Sequence, residues 1–378
     1  MKTTKLFSFL VTVLLTVSCS VDDELEFEKD ITANSINECI QDCDIDDGNS
    51  GGGLGGGTGS SIWPKYFYTH KGETNNNVYY AESNNGTTWS ANQLGLGAQT
   101  SQGSASVIFN NRQFLFYKGN NSANIFYAYK TSPTSSWQGN AWINNNRNDS
   151  KTDKSLSVTV FNNKVFVAHR GQTNKALYLS YSTTSSGIGN YTQVQALSTG
   201  NNVRDFSMVA NGNTMYIFWT KTSDNNNEDR RIYYKTSTNP TNPGSWSSTI
   251  RLQDSNNAAF TTSAENGLSA VALNGKIFIA FGLEWRHRTY WIQGTIRSLF
   301  LGVLHEDDRW SHFYYPYETQ RRPGIMVTED SKLLISFAGK STDRINTMKV
   351  DTNGSILIPP SETAGEAKVG GVFSYSNY

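Results

Sequence analysis

The sequence predicts an all-β chain, a six-bladed β-propeller closed by its own two ends. Three observations carry this. Tyr, Phe, Trp, Thr, Ser, Asn and Gly are abundant at the expense of Ala, Glu and Lys, a composition of strands and turns. From Ile62 onward, one pattern of short alternating strands recurs. The final segment supplies the strand that the first repeat lacks.

The clearest repeat is Ser155–Phe161 (strand A), the turn Asn162-Asn163, Lys164–Gly171 (B) and Leu177–Ser182 (C), with strand D following. Each strand alternates and is rich in β-branched or aromatic residues. Strand A recurs at Ser104–Phe109, Ser155–Phe161, Phe206–Ala210, Leu268–Leu273 and Pro323–Val327, at spacings of 51, 51, 62 and 55 residues. Asn110-Asn111, Asn162-Asn163, Asn211-Gly212 and Asn274-Gly275 are hairpin turns from A to B. The first unit opens on a B-like Lys65–Gly72, followed by C at Val78–Ala81 and D from Trp89. The chain ends on an A-like Val369–Ser374. Joining these halves completes a sixth unit and removes the exposed sheet edges. Four-stranded units of roughly 53 residues around an axis make a propeller.

Charge divides the chain. Lys plus Arg and Asp plus Glu each total 32. Residues 20–61 hold eleven acids and one base, and residues 1–19 hold only Lys2 and Lys5. Residues 62–378 therefore carry 21 acids and 29 bases, a balance of +8. Charged residues are too few and Gly too frequent for a coiled coil, and the aromatics exclude a wholly disordered chain. With one long apolar run, the chain is not a multi-span membrane protein.

The expected organisation is a signal peptide at 1–18, a disordered acidic then Gly-rich tether at 19–61, and the propeller at 62–378. Lys2 and Lys5 precede the apolar Leu6–Val17. Thr16-Val17-Ser18-Cys19 resembles a bacterial lipoprotein box, which implies lipidation at Cys19. Thr16 departs from the usual Leu. Ser20-Val21-Asp22-Asp23-Glu24 resembles the acidic export tag of Bacteroidetes surface lipoproteins. These resemblances imply a lipid-anchored, outward-facing protein of the outer membrane. Cys39 and Cys43 form a small disulfide or remain free thiols. No cysteine follows residue 61, so the body has no thiol chemistry.

Ser83-Asn84-Asn85-Gly86-Thr87-Thr88-Trp89 resembles a degenerate Asp box, the turn between strands C and D of sialidase-like six-bladed propellers. Weaker versions end at Trp137, Trp246 and Trp310. Asn replaces the family's Asp. In that family these turns are structural, which implies that the Trp side chains pack between blades.

Propeller topology puts the A–B and C–D turns on one face, and the D–A and B–C loops around the axial funnel on the other. The second face gathers basic and aromatic groups from several blades: His70, Lys71, Tyr117, Lys118, His169, Arg170, Trp219, Arg204, Arg321 and Arg322. Trp285, Arg286, His287, Arg288, Tyr290 and Trp291 crowd one B–C loop that breaks the repeat. His305 and His312 fall on the opposite or outer side. Arg pairs bidentately with carboxylate or sulfate, and aromatics stack on sugar faces.

The expected function is therefore capture of an anionic polysaccharide, with lectin-like His70, Lys71, Lys118, Arg170, Trp219, Trp285, Arg286, Arg288 and Arg322 as the binding set. The alternative is a polysaccharide lyase. It would use Arg204, Arg321 or Arg322 to neutralise a uronate, His70, His169 or His287 as base, and Tyr117 or Tyr290 as acid. A third reading is a sialidase-like hydrolase drawing on Arg204, Arg321 and Arg322 with Asp153, Asp205, Glu265 and Glu284. Expected partners are the polysaccharide, the membrane through the lipid alone, and other surface glycan-uptake proteins, not nucleic acid. No cofactor is expected. His70 and His169 stand at equivalent positions, but no carboxylate pair joins them to hold zinc or calcium.

Overall fold

The computed structural model of the protein describes residues 63–72, 74–143, 151–194, 203–221, 231–253, 267–286, 295–319, 321–339, 344–366 and 373–376. They lie in one unit, Ser60–Tyr378. The signal, the tether, Cys19, Cys39 and Cys43 lie outside the described residues.

The unit holds six four-stranded antiparallel sheets. Blade 1 contains β1 (Tyr66–Lys71), β2 (Asn77–Ser83) and β3 (Gln93–Gln99). Blade 2 contains β4 (Ala105–Phe109), β5 (Arg112–Lys118), β6 (Ile125–Lys130) and β7 (Gln138–Trp142). Blade 3 contains β8 (Ser157–Phe161), β9 (Lys164–Arg170), β10 (Leu177–Ser182) and β11 (Tyr191–Val194). Blade 4 contains β12 (Val203–Asn211), β13 (Thr214–Lys221), β14 (Ile232–Ser237) and β15 (Ile250–Arg251). Blade 5 contains β16 (Leu268–Leu273), β17 (Lys276–Arg286), β18 (Thr295–Leu304) and β19 (Trp310–Glu318). Blade 6 contains β20 (Gly324–Val327), β21 (Leu333–Ala338), β22 (Arg344–Val350) and β23 (Ile356–Glu366). The last strand, β24 (Phe373–Ser376), pairs with β1 and completes blade 1. The inner strands β4, β8, β12, β16, β20 and β24 neighbour one another in a closed ring. The six-bladed propeller expected from the repeats is the observed fold.

Two boundaries differ from expectation. The closing strand lies at Phe373–Ser376, where Thr69 pairs with Phe373. Gly370 and Gly371, which weaken a strand, fall before it, outside the described residues. In blade 4, Asn211 pairs with Thr214, so the turn is Gly212-Asn213. The turns of blades 2, 3 and 5 fall as expected, with positive φ at Asn110 and Asn111, at Asn162 and Asn163, and at Asn274 and Gly275. That is the conformation whose twist matches paired strands.

The core is a set of wedges between blades. Phe161, Phe206, Met215 and Trp219 fill the space between blades 3 and 4, and Phe114, Phe116, Tyr127 and Val167 that between blades 2 and 3. Trp137 sits between blades 1 and 2, Trp246 between 3 and 4, and Trp310 between 4 and 5. Trp89 packs against Tyr68, Ala338 and Ile345, joining blades 1 and 6. In the turn before it, the Ser83 hydroxyl accepts from the Gly86 amide at 2.8 Å, and Asn85 Oδ1 accepts from Thr87 and Thr88 at 2.9 and 2.8 Å. Asn thus holds this turn without an Asp.

Serines staple the inner strands together. Ser157 Oγ accepts from the Met208 amide at 2.9 Å, and Ser207 Oγ from the Ala270 amide at 3.0 Å. Each hydroxyl joins the inner strand of one blade to that of the next.

Candidate functional site

The site follows from one repeat position. Register aligns Ala105, Ser157, Ser207, Ser269 and Gly324 on the inner strands. Two residues earlier stand Gly103, Ser155, Asp205, Gly267 and Arg322. This is the throat of the axial funnel. Blades 2, 3 and 5 place small residues there, and blades 4 and 6 place a carboxylate and a guanidinium.

Asp205 reaches the throat through a bulge. β12 pairs Val203 with Lys221 and Phe206 with Trp219, and the irregularity between them holds Arg204 and Asp205. Bulges re-aim side chains and are frequent beside active sites. Arg322 is buried, and its Nε donates to Ser269 Oγ at 3.0 Å. Its stem runs across blade 5 because Gly267 leaves room: a Cβ there would lie 3.0 Å from Arg322 Cδ and 3.1 Å from its Cβ and Cγ. Burial pulls the guanidinium down to about 10, and the charge of Asp205 opposes the shift. Arg322 thus remains cationic at neutral pH, near enough to Asp205 to feel its charge. Arg321 is half-buried beside it, and its carbonyl accepts from Thr319 Oγ1 at 2.9 Å.

The other expected residues have different surroundings. His70 and His169 are buried, with rings stacked on Tyr79 and Tyr178 at 5.7 and 5.6 Å. Tyr117, Trp219 and Phe281 occupy the same register position and stack on Phe126, Tyr233 and Phe300. The two histidines thus take the place of a recurring cross-strand aromatic pair. His70 Nε2 lies 3.2 Å from Asn92 Oδ1. Trp219 is fully buried in the wedge between blades 3 and 4. Burial pushes the Tyr117 hydroxyl up to about 12, and this hydroxyl donates to Asn140 Oδ1.

The lysines and Arg170 cap loops. Lys71 Nζ donates to the carbonyls of Gly72 and Asn75 at 3.3 and 3.2 Å. Lys118 Nζ donates to those of Gly119 and Ser122, both at 3.0 Å, and to Ser101 Oγ at 2.7 Å. Arg170 grips Asp153 bidentately at 2.7 and 2.5 Å and reaches the Val203 carbonyl at 2.7 Å. Lys175 also binds Asp153. Burial would raise the Asp153 carboxyl, but these bonds and charges hold it below the usual carboxylate range.

The crowded segment lies on an arm. β17 and β18 stay paired beyond the end of β16, from Gly282 with Leu299 out to Arg286 with Thr295. Glu284 pairs with Arg297, and Trp285 with Ile296, on this arm at the funnel end. His287, Arg288, Tyr290 and Trp291 lie outside the described residues. His305 is at a C–D turn, with Nε2 2.9 Å from Ser311 Oγ. Among the described residues, no group of three His, Cys, Asp or Glu stands ready to hold a metal ion.

No family model matches the chain, and no curated protein matches it. Among solved structures, the fold is similar to an α-L-arabinofuranosidase of Fusarium graminearum. With an iminosugar inhibitor bound, that enzyme gives a TM-score of 0.56 at 8% identity, over 71% of this chain and 82% of that one. Its complex with arabinobiose gives 0.54 at 8% identity over the same shares. A thermostable family-43 glycoside hydrolase gives 0.47 at 12% identity, over 70% of this chain and 95% of that one. The arabinofuranosidase that shares the fold is a glycoside hydrolase, neither a binding module nor a lyase, and this corrects the expected polysaccharide-binding module and its polysaccharide-lyase alternative. The physical reason agrees. Lys71, Lys118 and Arg170, expected to face an anionic polymer, are directed to loop carbonyls and to Asp153. His169 and Tyr117, expected as base and acid, are packed in aromatic pairs.

Proposed function

We propose that the chain is a glycoside hydrolase acting in the axial funnel, with Asp205 as a catalytic carboxylate. The observation that carries this is the throat pair: Asp205 on its bulge and cationic Arg322 at the same repeat position, with small residues on blades 2, 3 and 5. Glycoside hydrolysis uses two carboxyl groups, one as proton donor and one as nucleophile or base. Asp205, near the Arg322 charge, takes the second role. Glu284, on the arm at the funnel end, is the proposed proton donor. Buried Arg322 sets a fixed positive charge beside Asp205 at the throat.

The similarity to arabinofuranosidases makes α-L-arabinofuranosides the first substrates to test. The Ser83–Trp89 turn and the neighbouring Arg321 and Arg322 support the sialidase-like subtype, so a sialoside is the second. Lys2, Lys5, the apolar Leu6–Val17 and Cys19 support delivery to the cell surface on a lipid anchor, with residues 19–61 as the tether. The test is sugar release from p-nitrophenyl α-L-arabinofuranoside, arabino-oligosaccharides and a sialoside. Wild type is expected to release sugar from one class. Asp205→Asn is expected to lower kcat by about 100-fold or more while the chain keeps the far-UV circular dichroism of the folded propeller. Equal rates in the two proteins would refute the assignment of Asp205.

A further inference from the structure

We propose that blades 1 and 2 form a second site, lined by none of the throat residues, that takes an uncharged saccharide. A cleft of about 390 Å³ opens there, lined by Gln99, Tyr117, Asn120, Asn121, Phe126 and Asn140 among others, with no charged residue. Two irregular strands shape it. On β3, Gly95–Ala98 bulge out between the pairs Asn77–Gln99 and Tyr79–Leu94, and Leu96 and Gly97 have φ of 56° and 59°. On β7, Asn140 is the extra residue between Gly139 and Ala141, at φ 88°. A non-glycine residue held there carries strain and persists only where its surroundings fix it. Here the Tyr117 hydroxyl fixes the Asn140 amide at the cleft.

Comparison with the neighbouring blades shows what is special. In blade 1, Asn75 Nδ2 donates to the Tyr79 hydroxyl at 3.0 Å. In blade 3, Asn174 Nδ2 donates to the Tyr178 hydroxyl at 2.5 Å. Each bond latches the loop between the second and third strands over the aromatic pair. In blade 2 the corresponding residues are Ser122 and Phe126, which have neither the amide nor the hydroxyl. The latch is absent, and the half-buried Phe126 faces the cleft. Trp142 stands edge-on to Phe126 at 5.9 Å and is 40% exposed. An aromatic surface beside several amides fits a sugar, whose C–H face packs on the ring while its hydroxyls bond the amides.

The site uses none of the throat residues, so it stands or falls apart from the proposed hydrolase. The test is calorimetric titration of the full chain carrying Asp205→Asn, with arabinotriose, xylotriose and cellotriose as probes. Saturable binding of at least one sugar is expected. Trp142→Ala is expected to weaken it at least tenfold. The double variant Ser122→Asn with Phe126→Tyr restores the latch of blades 1 and 3, and is expected to weaken binding as much without lowering Tm. No binding of any of the three sugars, or an unchanged affinity in either variant, overturns the proposal.

Discussion

Replacing Asp153 by Asn tests how the funnel rim is held. Asp153 accepts both arms of the Arg170 fork and is also bound by Lys175. Arg170 in turn ties blade 3 to the Val203 carbonyl at the start of blade 4. The Arg170 side chain is 11% exposed and that of Asp153 25%. Removing one partner of a buried pair costs about 3–5 kcal/mol, because the other charge is left buried. Arg170 keeps its carbonyl partner and Asp153 is partly solvated, so a loss of about 3 kcal/mol is expected. The assay is urea denaturation of Asp153→Asn, Arg170→Met and the double variant, with their coupling read from the cycle. The sign with pH follows from the lowered carboxyl. The stabilisation is fully present above the unfolded pKa, near 3.9, and is lost as pH falls through the lower folded value. The gap between wild type and Asp153→Asn therefore holds from neutral pH to about pH 5 and closes below it. A neutral-pH difference under about 0.5 kcal/mol, within the range of ordinary surface substitutions, would refute the reasoning.

Two more perturbations test the fold. A Cβ added at Gly302 would lie 1.9 and 2.0 Å from Trp310 ring atoms, so Gly302→Ala is expected to displace that ring. It should cost about 3 kcal/mol and red-shift the tryptophan fluorescence; unchanged emission and Tm would contradict the packing. Removing residues 373–378 deletes the inner strand of blade 1 and its pairing with Tyr66–Thr69. The truncated chain is expected to have a lower Tm and protease-sensitive β1–β3, and equal resistance would contradict closure of the ring by β24.

Strand order, blade number and the Asn-Asn turns were legible because they depend on local alternation and on residues that accept positive φ. Packing of Trp89, Trp137, Trp246 and Trp310 between blades was legible from the turn that precedes each. The site was less so. His70 and His169 carry the chemistry of a base, yet only the cross-strand register reveals that Tyr117, Trp219 and Phe281 share their position. A lysine at a strand end reads as a free charge until its loop folds back, as the Gly72 and Asn75 carbonyls do onto Lys71. Asp205 and Arg322 both appear among the sialidase-like candidates, but a bulge has no sharp sequence mark, and the room for the Arg322 stem depends on Gly267. Phe126, Asn140 and Trp142 carry no acid, base or charge and so do not stand out in the sequence. The signal for them was the Gly139-Asn140 break inside a strand and the loss of the Asn–Tyr pair in one repeat.

The central claim is that the throat hydrolyses a glycosidic bond, and product analysis by ¹H NMR tests it most directly. Wild-type protein and Asp205→Asn would each be incubated with arabino-oligosaccharides and, separately, a sialoside. The account predicts new reducing-end anomeric signals with saturated sugar from wild type alone. Equal product from Asp205→Asn, unsaturated products, or no cleavage of either substrate class would contradict it.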